Sequence, residues 1–280
     1  MNIAIQGIEG SFHQIAAFKY FGEREAFTPI CCDSFPILFR QLKENKNYYA
    51  VMAIENTVAG TILPNYALLR NSNIRIIGEV YLRIQHNLLV VNGQDISQLK
   101  EVHSHPMAIL QCQDFFAQYP HIRLVESVDT AASAKYISDK KLKNIGAIAS
   151  SLAAEQYGLN MLHEGIETNK RNFTRFLILQ HNDVAKAPTR TPNKASICFR
   201  LSHKVGSLAN ILSILAANEI NLSKIQSLPV IGSEWEYFFH VDVEFKDYNK
   251  YKQTLESIEN DTIDLKILGE YRSGIKHRTI

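Results

Sequence analysis

Residues 145–158 read IGAIASSLAAEQYG, and this stretch decides the fold class. The run 145–149 is apolar and has the length of a strand. It stops at Ser150 and Ser151, hydroxyl residues suited to capping a helix N-terminus. A helical stretch follows to about Tyr157, and Gly158 is the residue type that closes a helix in the left-handed conformation. The same order recurs toward the N-terminus. Run 2–6 precedes Gly7, Gly10 and Ser11 and a helix over 12–21. Run 49–54 precedes Asn56, Thr57, Gly60 and Thr61. Run 101–103 leads into Ser104, with Pro106 well placed in a first helical turn. Run 123–128 leads into Asp129 and Thr130 and a helix through Ile137.

Strand followed by helix, repeated in this way, predicts an α/β region with mostly parallel strands. The strands are continuous apolar runs, the pattern of a sheet covered on both faces. Each junction presents unpaired helix N–H groups and a hydroxyl at the carboxyl edge of the sheet. Such an edge suits a carboxylate or phosphate, and open α/β sheets bind ligands in the crevice there. An anionic small molecule is therefore the expected partner class.

Composition narrows the classes further. Of 280 residues, 46% are apolar and 21% charged, which is the balance of a globular chain of about two domains. Thirty basic residues against 28 acidic ones give a net charge of +2, so neither nucleic acid nor a membrane surface is an expected partner. No run approaches the ~20 apolar residues of a membrane span. The opening MNIAIQGIEG has neither a basic n-region nor a long apolar core, so no signal peptide is expected and a cytoplasmic location is. Cys31, Cys32, Cys112 and Cys198 lack the spacing of a zinc set or a redox pair and read as reduced thiols.

Beyond residue 184 the character changes. Residues 184–194 hold Pro188 and Pro192 among polar residues and read as a linker. Then come a strand at 195–201, a helix at 205–217 and a strand at 220–228. A turn over 230–234 leads to a strand at 235–245 that starts on Trp235. A helix at 248–258 and a strand at 262–271 close the unit, before a basic tail. This βαββαβ order is the ferredoxin-like split arrangement.

Single motifs have two readings each. Gly7-Ile8-Glu9-Gly10-Ser11 is neither a Walker loop nor a GxGxxG fingerprint, and a tight turn with Ser11 as N-cap explains it. Glu55, after an apolar strand, suits a base or a loop anchor. His105 suits a general acid or a helix cap. In Asn172-Phe173-Thr174-Arg175-Phe176 a strand would put Thr174 and Phe176 on one side and Arg175 on the other, and an ordinary strand start with Arg175 in an ion pair explains it as well. His13, His86, His103 and His105 do not have metal-site spacing, so no metal is expected. No Ser sits in a G-x-S-x-G elbow.

The succession of these motifs is more specific than any one of them. Gly-Ile-Glu-Gly-Ser-Phe-His at 7–13, Ile-Glu-Asn-Thr at 54–57, Ser-His-Pro at 104–106 with Gln111-Cys112, Asp-Thr-Ala-Ala at 129–132, Ala-Ile-Ala-Ser at 147–150 and Asn-Phe-Thr-Arg-Phe at 172–176 together resemble the prephenate dehydratase family. The segment after the linker resembles an ACT domain, an amino-acid-sensing module. The resemblance implies a two-subdomain α/β catalytic region similar to type II periplasmic binding proteins (1–181), a linker (182–193) and a ferredoxin-like ACT domain (194–272). It implies loss of water and carbon dioxide from prephenate to give phenylpyruvate, with no cofactor and no metal. It implies catalytic positions at Thr174, Asn56, Ser104, Gln111 and Glu55. Substrate contacts are implied at Ser11, Thr130, Asn172, Arg175 and Phe176. L-phenylalanine is the implied effector, at Gly206, Ser207, Leu208, Gln226, Ser227, Leu228 and Pro229, and a homodimer or homotetramer the implied assembly.

Two departures from the family pattern stand out. Met107 replaces a common Gln and is expected to sit behind the site. Gln226 and Leu228 replace the Glu and Arg of the common effector motif, which removes a charge pair as a pair. Other readings are arogenate dehydratase, which differs by an amino group in the substrate, a non-catalytic binding protein, and a transcriptional regulator. The last needs a helix-turn-helix segment that the chain does not display.

Overall fold

Ser150 ties the fold of residues 145–158 to the N-terminal motif. In the computed structural model, which describes residues 1–22, 27–186, 188–230, 232 and 236–275, strand Ile145–Ala149 is followed by helix Ser151–Tyr157. Ser150 Oγ accepts the Ala153 N–H at 3.0 Å and donates to the Gly10 carbonyl at 2.6 Å. Gly158 closes the helix in the left-handed region, at φ +61°. Gly10 must be glycine for two reasons. Its φ is +83°, and a Cβ there would stand 2.9 Å from Ala153 Cα. Tyr157 Oη adds a bond to the Glu9 carbonyl at 2.6 Å.

The chain forms two compact units, residues 1–41, 48–62 and 80–176, and residues 42–47, 63–79 and 177–280. Strands within residues 2–181 form two sheets. One runs in the order Thr28–Cys32, Asn2–Gln6, Tyr49–Asn56, Phe173–His181, Ile74–Arg83, with Gly60–Thr61 paired to Tyr49–Asn56. The other runs Asn160–His163, Asn87–Val90, Ile145–Ala149, Glu101–Ser104, Arg123–Glu126. Asn2–Gln6 is parallel to both neighbours, and Glu101–Ser104 is parallel to both of its own. Asn87–Val90, however, is antiparallel to Ile145–Ala149 and to Asn160–His163. Its four residues are all buried, and burial on both faces makes an apolar run whichever way the strand points. The sheets are therefore more mixed than the sequence pattern predicts. Two α/β lobes of this kind are the architecture of periplasmic-binding-protein-like folds.

The second unit contains the βαββαβ order. Its antiparallel sheet runs Asn221–Pro229, Tyr237–Glu244, Lys194–Arg200, Ile263–Tyr271. Helices Ser207–Ala217 and Tyr248–Glu259 cover one face through Ile197, Phe199, Ile211, Leu215, Val241 and Tyr251. The turn expected over 230–234 and the strand start at Trp235 lie outside the described residues except Val230 and Gly232, as does the tail from 276 onward.

The opposite sheet face is polar yet buried. Lys194, Ser196, His240 and Asp242 are each at most 7% exposed. Residues 63–79 of the same unit reach this sheet, and Ser196 bonds within it to Asp242 and Tyr271. Lys194 Nζ meets both Glu79 oxygens at 2.9 and 3.0 Å, Arg75 pairs with Glu270 at 3.3 Å, and Lys266 Nζ donates to the Arg70 and Ser72 carbonyls. Glu79 also accepts the Gly274 N–H.

A charge stripped of its partner inside protein costs about 3–5 kcal/mol, more than the net worth of the pair. Lys194→Met should therefore lower the urea midpoint of this unit by an amount equivalent to about 3 kcal/mol or more. Adding Glu79→Gln should recover part of that loss. Equal midpoints for wild type and Lys194→Met would contradict the burial of this pair.

Candidate active site

Two helices of the first unit begin at one cavity. Helix Phe12–Phe21 starts from Ser11, whose Oγ accepts the Gln14 N–H at 3.4 Å. Helix Thr130–Asp139 starts from Asp129, whose Oδ1 accepts the Ala132 N–H at 2.9 Å. Ser11, Phe12, Asp129 and Thr130 all line a cavity of about 250 Å³. Asn56, Gln111, Thr174 and Phe176 line it too. No lysine or arginine is among the described residues of its wall. Helix N-termini and neutral donors make up its attraction for an anion.

The polar side chains are held in one chain of hydrogen bonds. Asn56 Oδ1 accepts the backbone N–H groups of Val58 and Ala59 at 2.9 and 2.7 Å. Its Nδ2 therefore donates to Asn172 Oδ1 at 2.7 Å and to Thr174 Oγ1 at 2.9 Å. Asn172 Nδ2 donates to Gln111 Oε1 at 2.8 Å, and His86 Nε2 meets that same oxygen at 2.9 Å. Thr174 keeps its O–H hydrogen, and Gln111 keeps its Nε2 donors, for whatever enters the cavity.

Burial drives most of the ionisable wall toward neutrality. His13, packed edge-on against Phe176 at 5.0 Å, is pushed down to about 3 by burial. His86 is lowered for the same reason, opposed by its bond to Gln111 and by Glu167. Burial raises the Asp129 carboxyl against the opposing pull of the Ala132 and Ala131 N–H groups. Gly7, at φ +89°, passes so close that a Cβ would lie 2.9 Å from Asp129 Oδ2.

Of the residues that the sequence singles out, Ser11, Asn56, Gln111, Thr130, Thr174 and Phe176 meet at the cavity. Asn172 is buried one bond behind it, on Gln111. Ser104 is fully buried and donates to the Ile148 carbonyl at 2.7 Å. Arg175 and Glu55 pair with each other at 3.5 Å, outside the wall, as the alternation of a strand requires. Met107, expected behind the site, stands in the wall itself, because Pro106 starts the helix with the next residue turned to the cavity. His105 lines the wall and caps that helix, with Nδ1 accepting the Met107 N–H at 3.2 Å. His86 is the residue that sequence reasoning passes over. It is weighed there only as a metal ligand, and its partner Gln111 lies 25 positions away.

In the second unit Gly206, at φ +87°, opens helix Ser207–Ala217, in which Leu208 follows Ser207. Gln226, Ser227, Leu228 and Pro229 end strand Asn221–Pro229, where Gln226 Nε2 donates to the Ser227 carbonyl. Among the described residues no group of three or more His, Cys, Asp or Glu is placed to hold a metal ion, and no helix is long and apolar enough to cross a membrane.

Residues 3–184 match the family model for prephenate dehydratase. Arogenate dehydratase 2 of Petunia hybrida is 36% identical, covering 98% of this chain and 72% of its own length. The bifunctional chorismate mutase/prephenate dehydratase of Escherichia coli K12 is 32% identical, covering 97% and 70%. A crystal structure of prephenate dehydratase from Arthrobacter aurescens in complex with L-Phe superposes with a TM-score of 0.85 at 27% identity, covering 97% of this chain and 90% of that one. The chain belongs to the prephenate dehydratase family, and it is a dehydratase of aromatic amino-acid biosynthesis.

Proposed function

We propose that this dehydratase converts prephenate to phenylpyruvate at the cavity around Thr174, and that L-phenylalanine regulates it through an ACT domain. The observation that carries the reading is the Thr174 hydroxyl. Asn56 occupies its acceptor side at 2.9 Å, so its hydrogen is free for a ligand in the cavity. The reaction takes one proton: prephenate dianion and a proton give phenylpyruvate anion, water and carbon dioxide. The ring C–O bond breaks, and the C–CO₂ bond electrons move into the ring as it becomes aromatic.

Thr174 O–H hydrogen-bonds the departing ring oxygen, and that bond strengthens as negative charge grows there. Gln111 Nε2, Ser11 and Thr130 with its helix N-terminus hold the rest of the dianion, while Asn56, whose amide hydrogen bonds are all made within the protein, holds Thr174 and Asn172 in place. The absence of cations from the described wall suits the second bond cleavage. The leaving carboxylate loses its charge on becoming carbon dioxide. A salt bridge to it would stabilise the ground state more than the transition state and slow the step. Neutral donors bind without that penalty. Arg175, tied to Glu55, and Ser104, tied to Ile148, support the strands that carry the donors.

Arogenate carries an ammonium group where prephenate has a keto oxygen, and the Petunia relative bears its name. Prephenate is favoured by a cavity of neutral donors. Regulation rests on residues 194–272, with 1–181 as the catalytic domain, 182–193 as linker and a homodimer or homotetramer as the assembly. The Arthrobacter relative was crystallised with L-Phe. Gln226 and Leu228 remove both charges of the common effector motif together, which strands neither.

Wild type should form phenylpyruvate from prephenate with a kcat/KM at least ~10-fold above that on arogenate, about the discrimination that one unmatched charge supplies. The reverse ranking would replace the assigned substrate. Thr174→Val should lower kcat by ~10²-fold or more with little change in KM, as the loss of a transition-state donor does. Near-normal turnover by the folded variant would remove Thr174 from the reaction. Calorimetric titration with L-phenylalanine should give saturable heat, and silence at millimolar ligand would end the regulatory assignment.

Asp129→Asn tests the electrostatics. Asn caps a helix as well as Asp, so the change removes charge and keeps the bond to Ala132. The folded-state pKa of Asp129 is raised, so its contribution to stability is full below the unfolded value and is lost as pH rises through the folded one. Thermal melts should show the Asn variant gaining on wild type across that window and keeping the gain above it. A variant less stable than wild type at neutral pH would contradict the burial penalty.

A further inference from the structure

The amides of the cavity wall could in principle present either end to a ligand, and their direction is fixed by groups that cannot turn over. The backbone N–H groups of Val58 and Ala59 fix Asn56, Asn56 fixes Asn172, and Asn172 gives its Nδ2 to Gln111 Oε1. At the other end of this relay stands His86, its Nε2 at 2.9 Å from the same Oε1. A carbonyl oxygen has no proton to give, so His86 carries its proton on Nε2. Its Nδ1 is buried with no partner among the described residues, a cost the ring bears while Nε2 stays on Gln111.

We propose that His86 is a positioning residue, and that its Nε2–H locks Gln111 with the amide Nε2 donors toward the bound dianion. The proposal rests on the cavity being the dehydratase site. With both lone pairs of Oε1 taken, Gln111 has only N–H groups left to offer. Without His86, one bond from Asn172 remains. Gln111 can then turn its carbonyl toward the substrate carboxylate, where it repels. The backbone keeps the pair in register. His86 N–H donates to Glu167 Oε2 at 2.9 Å, the Ile166 N–H donates to the His86 carbonyl at 2.8 Å, and the Thr168 N–H donates to the Gln111 carbonyl at 2.8 Å. Both residues therefore hang from the segment 166–168. Phe12 sets the ring plane, edge to face at 5.6 Å.

Three variants separate this role from packing. Gln carries its Nε2 at the distance from the backbone that His Nε2 has, and Asn carries its donor where His Nδ1 lies. Both are polar and smaller than His, so a packing role predicts similar losses for the two. The lock predicts that His86→Gln stays within ~3-fold of wild type in kcat/KM on prephenate, while His86→Asn and His86→Phe lose ~10- to 100-fold, the effect of misdirecting one positioned donor. Equal activity for His86→Gln and His86→Asn would overturn it.

Ring ¹⁵N shifts of wild type give a reading independent of turnover, and they stand even where a variant fails to fold. A proton on Nε2 with a bare Nδ1 supports the lock, and a proton on Nδ1 overturns it. If wild type turns over neither prephenate nor arogenate, the functional reading of the cavity fails, while the ¹⁵N shifts still decide the state of His86.

Discussion

The amide of Asn56 is the constraint from which the proposed active site is built. A free carboxamide can turn end for end at little cost, and a site made of them would show a ligand donors and acceptors at random. Here two backbone N–H groups, at Val58 and Ala59, hold one end, and the direction passes to Asn172, Thr174 and Gln111. The backbone at 56–59 follows a buried strand, Tyr49–Asn56, at the centre of its sheet. A property of the fold thus becomes a property of the chemistry, since fixed dipoles need no reorganisation when charge develops.

The parts of this arrangement that the sequence displays are the local ones. Ser11, Asp129 and Ser150 each cap a helix by a bond that reaches three residues along the chain, and Gly158 closes one. These are contacts between neighbours in the chain, so residue type and spacing are enough to read them. The two-residue period of a strand likewise tells Thr174 from Arg175. Ser104 and Glu55 are different. Their hydroxyl and carboxylate are equally suited to chemistry or to support, and their bonding partners lie far off in sequence. Ser104 finds the Ile148 carbonyl and Glu55 finds Arg175, at separations no periodicity encodes. Met107 is displaced from its expected place for a related reason, since the turn of a short helix cannot be aimed from composition alone.

Residues 63–79 show the same limit on the scale of an element. Helix Leu63–Arg70 and the start of strand Ile74–Arg83 carry ordinary apolar and charged residues, without a motif. Their role follows from what faces them. Lys194, Ser196, His240 and Asp242 alternate with core residues along two strands and read as a solvated face. They are buried because Tyr66, Arg75 and Glu79 lie against that sheet, with Tyr66 edge-on to His240 at 5.0 Å. Burial lowers His240 to about 4, so this face meets its neighbours with a neutral imidazole between the ion pairs.

The same physics bears on the proposed function, in which a cavity with no lysine or arginine among the described residues of its wall takes a doubly charged guest. Burial holds His13 and His86 neutral and opposes ionisation of Asp129. Little fixed charge is then left to compete with the proposed ligand, whose two carboxylates would meet oriented N–H and O–H groups and two helix N-termini. A cationic site would bind the same dianion more tightly. It would also resist the step in which one of those charges leaves as carbon dioxide, because binding that is stronger before the reaction than during it raises the barrier. Moderate, directional binding is what a reaction driven by aromatisation requires. That places the demand on geometry, and so on the hydrogen-bond relay from Val58 to His86.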